Sequence, residues 1–130
     1  MNTRYSFGRT VALPFETAVQ RITEELAKVG FGVLTENDVQ ATMKKKLGQD
    51  MLPYRILGAC NPQFASRALA FEPEIGALLP CNVVVRQGAD GEMRIEVMDP
   101  NAVLTLVQRP EVGALAAEVR GRLEHALSEV

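Results

Sequence analysis

One histidine, two cysteines and no tryptophan in 130 residues leave this chain with little of the usual catalytic equipment. A zinc site of ordinary composition takes about four ligands from Cys and His, more than a single copy of the chain carries, so no structural metal site is expected. The lone histidine, His125, would have to serve any Ser-His-Asp or Cys-His nucleophile arrangement. It stands two residues from Leu123 and two from Leu127. At ~100° per residue this places it on the opposite side of a helix from that apolar stripe, which predicts a solvated surface position.

No stretch approaches the ~20 apolar residues needed to cross a bilayer, and the opening "MNTRYSFGRT" has no apolar segment of signal-peptide type. A cytoplasmic location with no membrane partner is the expectation. Fourteen Lys and Arg against 16 Asp and Glu give a net charge of -2, so there is no excess of positive charge to draw in nucleic acid. In a reducing compartment the two cysteines are expected as thiols, because a domain of this size does not need a disulfide to fold.

What is present is ordinary for a globular protein: 47% hydrophobic and 23% charged residues, enough for one core in one domain spanning residues 1–130. Residues 5–13 alternate imperfectly and include Tyr, Phe, Thr and Val, which predicts a strand. Phe15, Ala18, Val19, Ile22 and Leu26 then recur at helical spacing, with Pro14 suited to the first turn and Gly30 to the position past the last. "FGVLTEND" returns to strand composition, and its closing Asp38 can cap a short helix with the stripe Val39, Met43, Leu47, ended by Gly48.

Residues 53–60 predict a third strand. "NP" then supplies an N-cap, Asn61, and a first-turn proline, Pro62, for a helix to about Phe71. Residues 72–80 read as a turn or a short helical piece. Residues 81–87 and 93–98 predict two strands of a hairpin turned at Asp90-Gly91. A turn at Asp99-Pro100-Asn101 opens one or two helical turns, and a long helix runs from Pro110 to near Ser128 with the core stripe Val112, Leu115, Ala116, Val119, Leu123 and Leu127. The order β-α-β-α-β-α-β-β-α, without repeat or linker, predicts a two-layer α+β domain, its helices packed on one face of a mainly antiparallel or mixed sheet.

Several motifs that look like sites are better explained without one. "GFGVLT" (30–35) lacks a third glycine and follows a helix, whereas a dinucleotide fingerprint needs a strand feeding a glycine turn into a helix. The run Lys44 to Lys46 closes a short helix, where cations favour the negative end of the dipole. Glu72 with Glu74, and Glu92 with Glu96, flank turns, and nothing in their spacing marks them for acid–base work.

The distinctive feature is a repeated dipeptide: Cys60-Asn61 in "ILGACNP" and Cys81-Asn82 in "LLPCNVVV". Cys60 ends a predicted strand beside a helix start, where backbone N-H groups and the dipole favour a thiolate or a bound anion. Cys81 leads into a run expected to be buried on both sides of its strand. If the two strands are antiparallel the cysteines share one end of the sheet; if parallel they lie at opposite ends. Two small apolar packing residues is the plainer reading of both.

The segments "ENDVQATMKKKLG", "PYRILGACNP", "IGALLPCNVVV" and "MDP", in this order over nearly the whole chain, resemble the bacterial and archaeal family called domain of unknown function 302. Cys60, Asn61, Pro62, Pro80, Cys81 and Asn82 all match its pattern. The resemblance implies an α+β fold that tends to form homodimers, and it brings no substrate, cofactor or reaction.

Three functions are compatible with these observations. The first is a homodimeric domain that binds a small molecule or anion at Cys60, Asn61, Pro62, Cys81 and Asn82. The second is a thiol redox or thiol-transfer enzyme with Cys60 as its catalytic thiol and Cys81 as its resolving partner. The third is an interaction module with no chemistry.

Overall fold

The computed structural model describes residues 2–130. Five strands, β1 (Ser6–Val11), β2 (Gly32–Asp38), β3 (Tyr54–Cys60), β4 (Cys81–Gln87) and β5 (Met93–Met98), form one sheet in the order β1-β5-β4-β3-β2. Every neighbouring pair is antiparallel, which resolves the mixed alternative. Five helices join them: α1 (Phe15–Lys28), α2 (Val39–Leu47), α3 (Pro62–Phe71), the single turn α4 (Pro100–Val103) and α5 (Pro110–Ser128). Short 3-10 pieces at Pro73–Leu78 and Leu104–Val107 fall where a turn or short helical piece and one or two helical turns are expected.

The expected periodicity produces the layers. Ala18, Val19, Ile22 and Leu26 of α1 and all six stripe residues of α5 are buried, and the two helices pack on each other over the sheet. Beneath them lie the inward residues of the central strands, Leu57, Val83, Val85, Ile95 and Val97, with no accessible surface. Burial of apolar area on this scale, at roughly 25 cal/mol per Å², is the main force holding the layers together. His125 is exposed, as its spacing predicts.

Caps appear where the sequence places them. Asp38 accepts from the Ala41 amide at 2.9 Å, and the Asn61 side chain accepts from the amides of Gln63 and Phe64 at 3.1 and 3.3 Å. At the far end of α5, Arg9 donates to the carbonyls of Leu127 and Ser128 at 3.3 and 3.1 Å, placing a cation at the negative end of the dipole. Arg55 binds Glu16 at the start of α1 (2.9 Å) and Glu36 on β2 (3.1 Å), and its guanidinium lies 5.0 Å from the Phe15 ring. The Arg55 bond holds the Glu16 carboxyl below its ordinary range.

Two expectations need correction. The "NVVV" run is not buried on both sides: Val83 and Val85 face the helices, whereas Asn82 is exposed and Val84 half-buried on the open face. Helix α2, which packs against β3, buries none of its residues: Val39 and Met43 of its stripe are half-buried and Leu47 is exposed.

Candidate functional site

The antiparallel pairing of β3 and β4 sets Ala59 opposite Cys81, so Cys60 is the diagonal neighbour of Cys81 at one end of the sheet. Strand spacing and rise put their Cα atoms about 6 Å apart, a separation that a disulfide spans only when the two side chains point toward each other. Both thiols are nonetheless free. Alternation along β3 turns Cys60 to the face opposite Ala59, while Cys81 shares the Ala59 face with the core.

A cavity of ≈380 Å³ wraps this end of the sheet and touches Cys60, Asn61 and Cys81. Phe64, Ala65 and Ala68 of α3 and Leu115 and Val119 of α5 form its walls. Phe31 and Pro80 complete it. The lining is almost wholly apolar, and the mouth is edged by Leu34 and Leu69, which are 71% and 41% exposed. Its volume lies near the lower end of the roughly 300–1,000 Å³ of small-molecule sites.

Gly58 is essential to this shape. A Cβ there would collide with Thr35 Oγ1 and lie 2.9 Å from Pro80 Cγ, so only glycine lets those two cavity-lining residues close over β3. Glycine and the closing residues come from three separate segments, and of the three only Pro80 stood out in the sequence, through the family resemblance. Phe31, Leu34 and Thr35 belong to "GFGVLT", a stretch with no standing as a nucleotide motif that proves to line the cavity.

The five candidate residues do not form one cluster. Cys60, Asn61 and Cys81 meet the cavity; Pro62 is exposed on the first turn of α3. Asn82 faces the other side of the sheet, in a shallow depression with Tyr5, Tyr54, Arg86 and Glu96. The two cysteines are also unequal. Burial, helped by the adjacent Cys60 thiol, pushes the Cys81 thiol from 9.0 up to about 11. Cys81 keeps 6% of its surface, whereas Cys60 is half-buried.

Several charged side chains elsewhere are tied up in ion pairs. Glu96 is held by Arg86 at 2.5 Å, Glu72 by Arg109 at 3.2 Å, and Lys44 pairs with Asp50 at 2.9 Å. Among the described residues no group of three His, Cys, Asp or Glu side chains could hold a metal ion.

The model of the domain of unknown function DUF302 matches residues 7–130. The chain belongs to the DUF302 family. A crystal structure of an uncharacterized conserved DUF302 protein from Bacillus stearothermophilus is similar to this DUF302 chain over 96% of its length and 97% of that chain, with a TM-score of 0.89 and 31% sequence identity. No curated protein matches the chain. Both findings agree with the resemblance carried by the Cys-Asn segments, and neither carries an activity. No helix of the described residues is long and apolar enough to cross a membrane.

Proposed function

We propose that this DUF302 chain is a cytoplasmic, homodimeric binding domain that takes a small apolar molecule into the cavity at the end of its sheet. The observation that supports it is the combination of enclosed volume, apolar wall and open mouth beside Cys60, Asn61 and Cys81. An inorganic anion deep in this cavity is disfavoured. The amides of Gln63 and Phe64 are already taken by Asn61 Oδ1, and desolvating a charge against such a wall is costly.

A neutral naphthylamine fluorophore, which brightens on leaving water, tests the reading. Saturable binding at one site per chain is expected, and Ala65→Trp, which puts an indole into the cavity, should weaken it roughly tenfold or more, a cost of about 1.4 kcal/mol or above. Equal affinity of the folded variant and the parent would remove the cavity as the binding site.

The dimer is proposed through the open face of the sheet, with a second copy as the occupant. Ile56, Val84 and Met98 are half-buried there, and Arg86 and Glu96 neutralise each other, so two such faces can meet around a two-fold axis without bringing together unpaired charges. Light scattering at micromolar concentration should report about twice 14.2 kDa, and Val84→Lys should shift the protein to the monomer. A monomer mass for the parent chain would end this part of the proposal.

Thiol chemistry is the second reading, favoured by the partial exposure of Cys60 and the proximity of Cys81. Selective labelling, described in the Discussion, tests it.

A further inference from the structure

The cavity has a direction as well as a volume. Its floor is the α5 stripe Val112, Leu115 and Val119, at i, i+3 and i+7, each 5% exposed or less. Seven residues of helical rise make that floor ~10 Å long. Exposure increases away from it: Ala59 and Ala68 on the walls are buried, Cys60 and Ala65 are half-buried, and Leu34 on β2 and Leu69 on α3 are exposed. The space is a trough laid along one helix and open between β2 and α3.

Small side chains make the trough. Ala59, Cys60, Ala65, Ala68 and Cys81 stand where larger apolar residues would close a two-layer core, and ≈380 Å³ is left between them and α5. A dry void forfeits packing in proportion to its volume, so stability alone favours filling it. Ala68 is the clearest case. It is 6% exposed, lies within α3 instead of at its ends, and a helix accepts leucine there nearly as readily as alanine.

The walls also lack polar partners. Among the described residues no charged side chain lines the cavity, and Asn61 Oδ1 is committed to the amides of Gln63 and Phe64. Thr35, which carries the one hydroxyl of the lining, belongs to an exposed residue at the rim. A polar group of the ligand is therefore best left at the mouth, in water.

We propose that the occupant is a neutral amphiphile with a single unbranched aliphatic chain of about eight or nine carbons, lying along the α5 floor with its polar end at the mouth, and that Ala68 sets the chain length admitted. The proposal rests on the apolar-ligand reading above and adds the shape of the ligand and the residue that selects it. With C–C bonds of ~1.5 Å in a zigzag, a chain of that length covers the ~10 Å floor. It occupies roughly 250 Å³, and two such chains would exceed the ≈380 Å³ present.

Displacement of the naphthylamine fluorophore from the full chain by straight-chain 1-alkanols, pentanol to dodecanol, measures the trough. Affinity should rise about fourfold per added methylene up to about nonanol and then level off. In Ala68→Leu the levelling should come about three carbons earlier, with pentanol affinity within about twofold of the parent and a higher Tm, because the added carbons fill the void. Ala68→Val, a smaller addition, should fall between the two. The branched isomer 2,6-dimethylheptan-4-ol should displace roughly tenfold less well than nonan-1-ol once each is scaled by its octanol–water partitioning. Affinity that keeps climbing through dodecanol, or a levelling point that neither Ala68 variant moves, overturns the chain-length site and leaves the cavity reading standing, since the fluorophore still binds. Equal scaled displacement by the branched isomer overturns the single-chain fit. A fluorophore that does not bind at all overturns this proposal and the cavity reading together.

Discussion

Leu123→Asp is expected to abolish the cooperative thermal transition or lower Tm by on the order of 15 °C or more, while His125→Ala, two residues away, leaves it nearly unchanged. Leu123 has no accessible surface and lies in the stripe by which α5 closes the core. An aspartate there removes the leucine packing and places a carboxylate without a cationic partner among apolar groups. Together these cost about 4 kcal/mol or more, a large share of the roughly 5–15 kcal/mol that holds a domain folded. His125 is exposed in the last turn, where its imidazole contributes at most a small dipole effect, so its loss should stay within about 0.5 kcal/mol. Circular dichroism melts of the two variants decide the matter: similar Tm values would mean that α5 does not present this face to the sheet.

The second large effect is a difference in thiol reactivity. Iodoacetamide under native conditions at pH 8 should modify Cys60 well before Cys81, and Cys60→Ser should remove most of the native labelling without unfolding the chain. The attacking species is the thiolate. With its pKa pushed up to about 11, Cys81 is ionised at pH 8 in only roughly one molecule in a thousand, and its 6% exposure limits access further. Cys60 is half-buried at the cavity. Mass spectrometry of the labelled peptides gives the order directly. If neither thiol reacts until the protein is denatured, both are packing residues and the redox reading falls.

The same burial links Cys81 to stability. Its folded-state pKa lies above the ordinary value of 9.0, so the neutral thiol's contribution is complete below pH 9. It is lost as pH rises toward about 11, because the unfolded chain ionises first, at a cost on the order of 3 kcal/mol. A Cys81→Ala variant should therefore lose less stability than the parent over that interval.

What the linear chain determined by itself is its local grammar. The stripes of α1 and α5, the caps at Asp38 and Asn61, the Asp90-Gly91 turn and the element order all follow from interactions between residues a few positions apart, and each is present in the fold. The exposed position of His125 follows from the same helical period. The Cys-Asn segments also carried the family, because their combination is far more specific than any single motif.

What only the tertiary structure decided is everything that depends on which elements meet. Strand polarity was open between residues 53–60 and 81–87, and the antiparallel β3–β4 pairing brought Cys60 and Cys81 to one end of the sheet. Alternation then divided the candidate site, sending Cys81 inward and Asn82 to the open face. The burial expected on both sides of "NVVV" failed for a related reason: composition reports that a strand is apolar, while the covering of its second face depends on helices distant in sequence. The cavity draws Phe31, Pro80 and Val119 from segments far apart in the chain. Periodicity reports the neighbours of a residue along its own element, and a binding site is made of neighbours across elements.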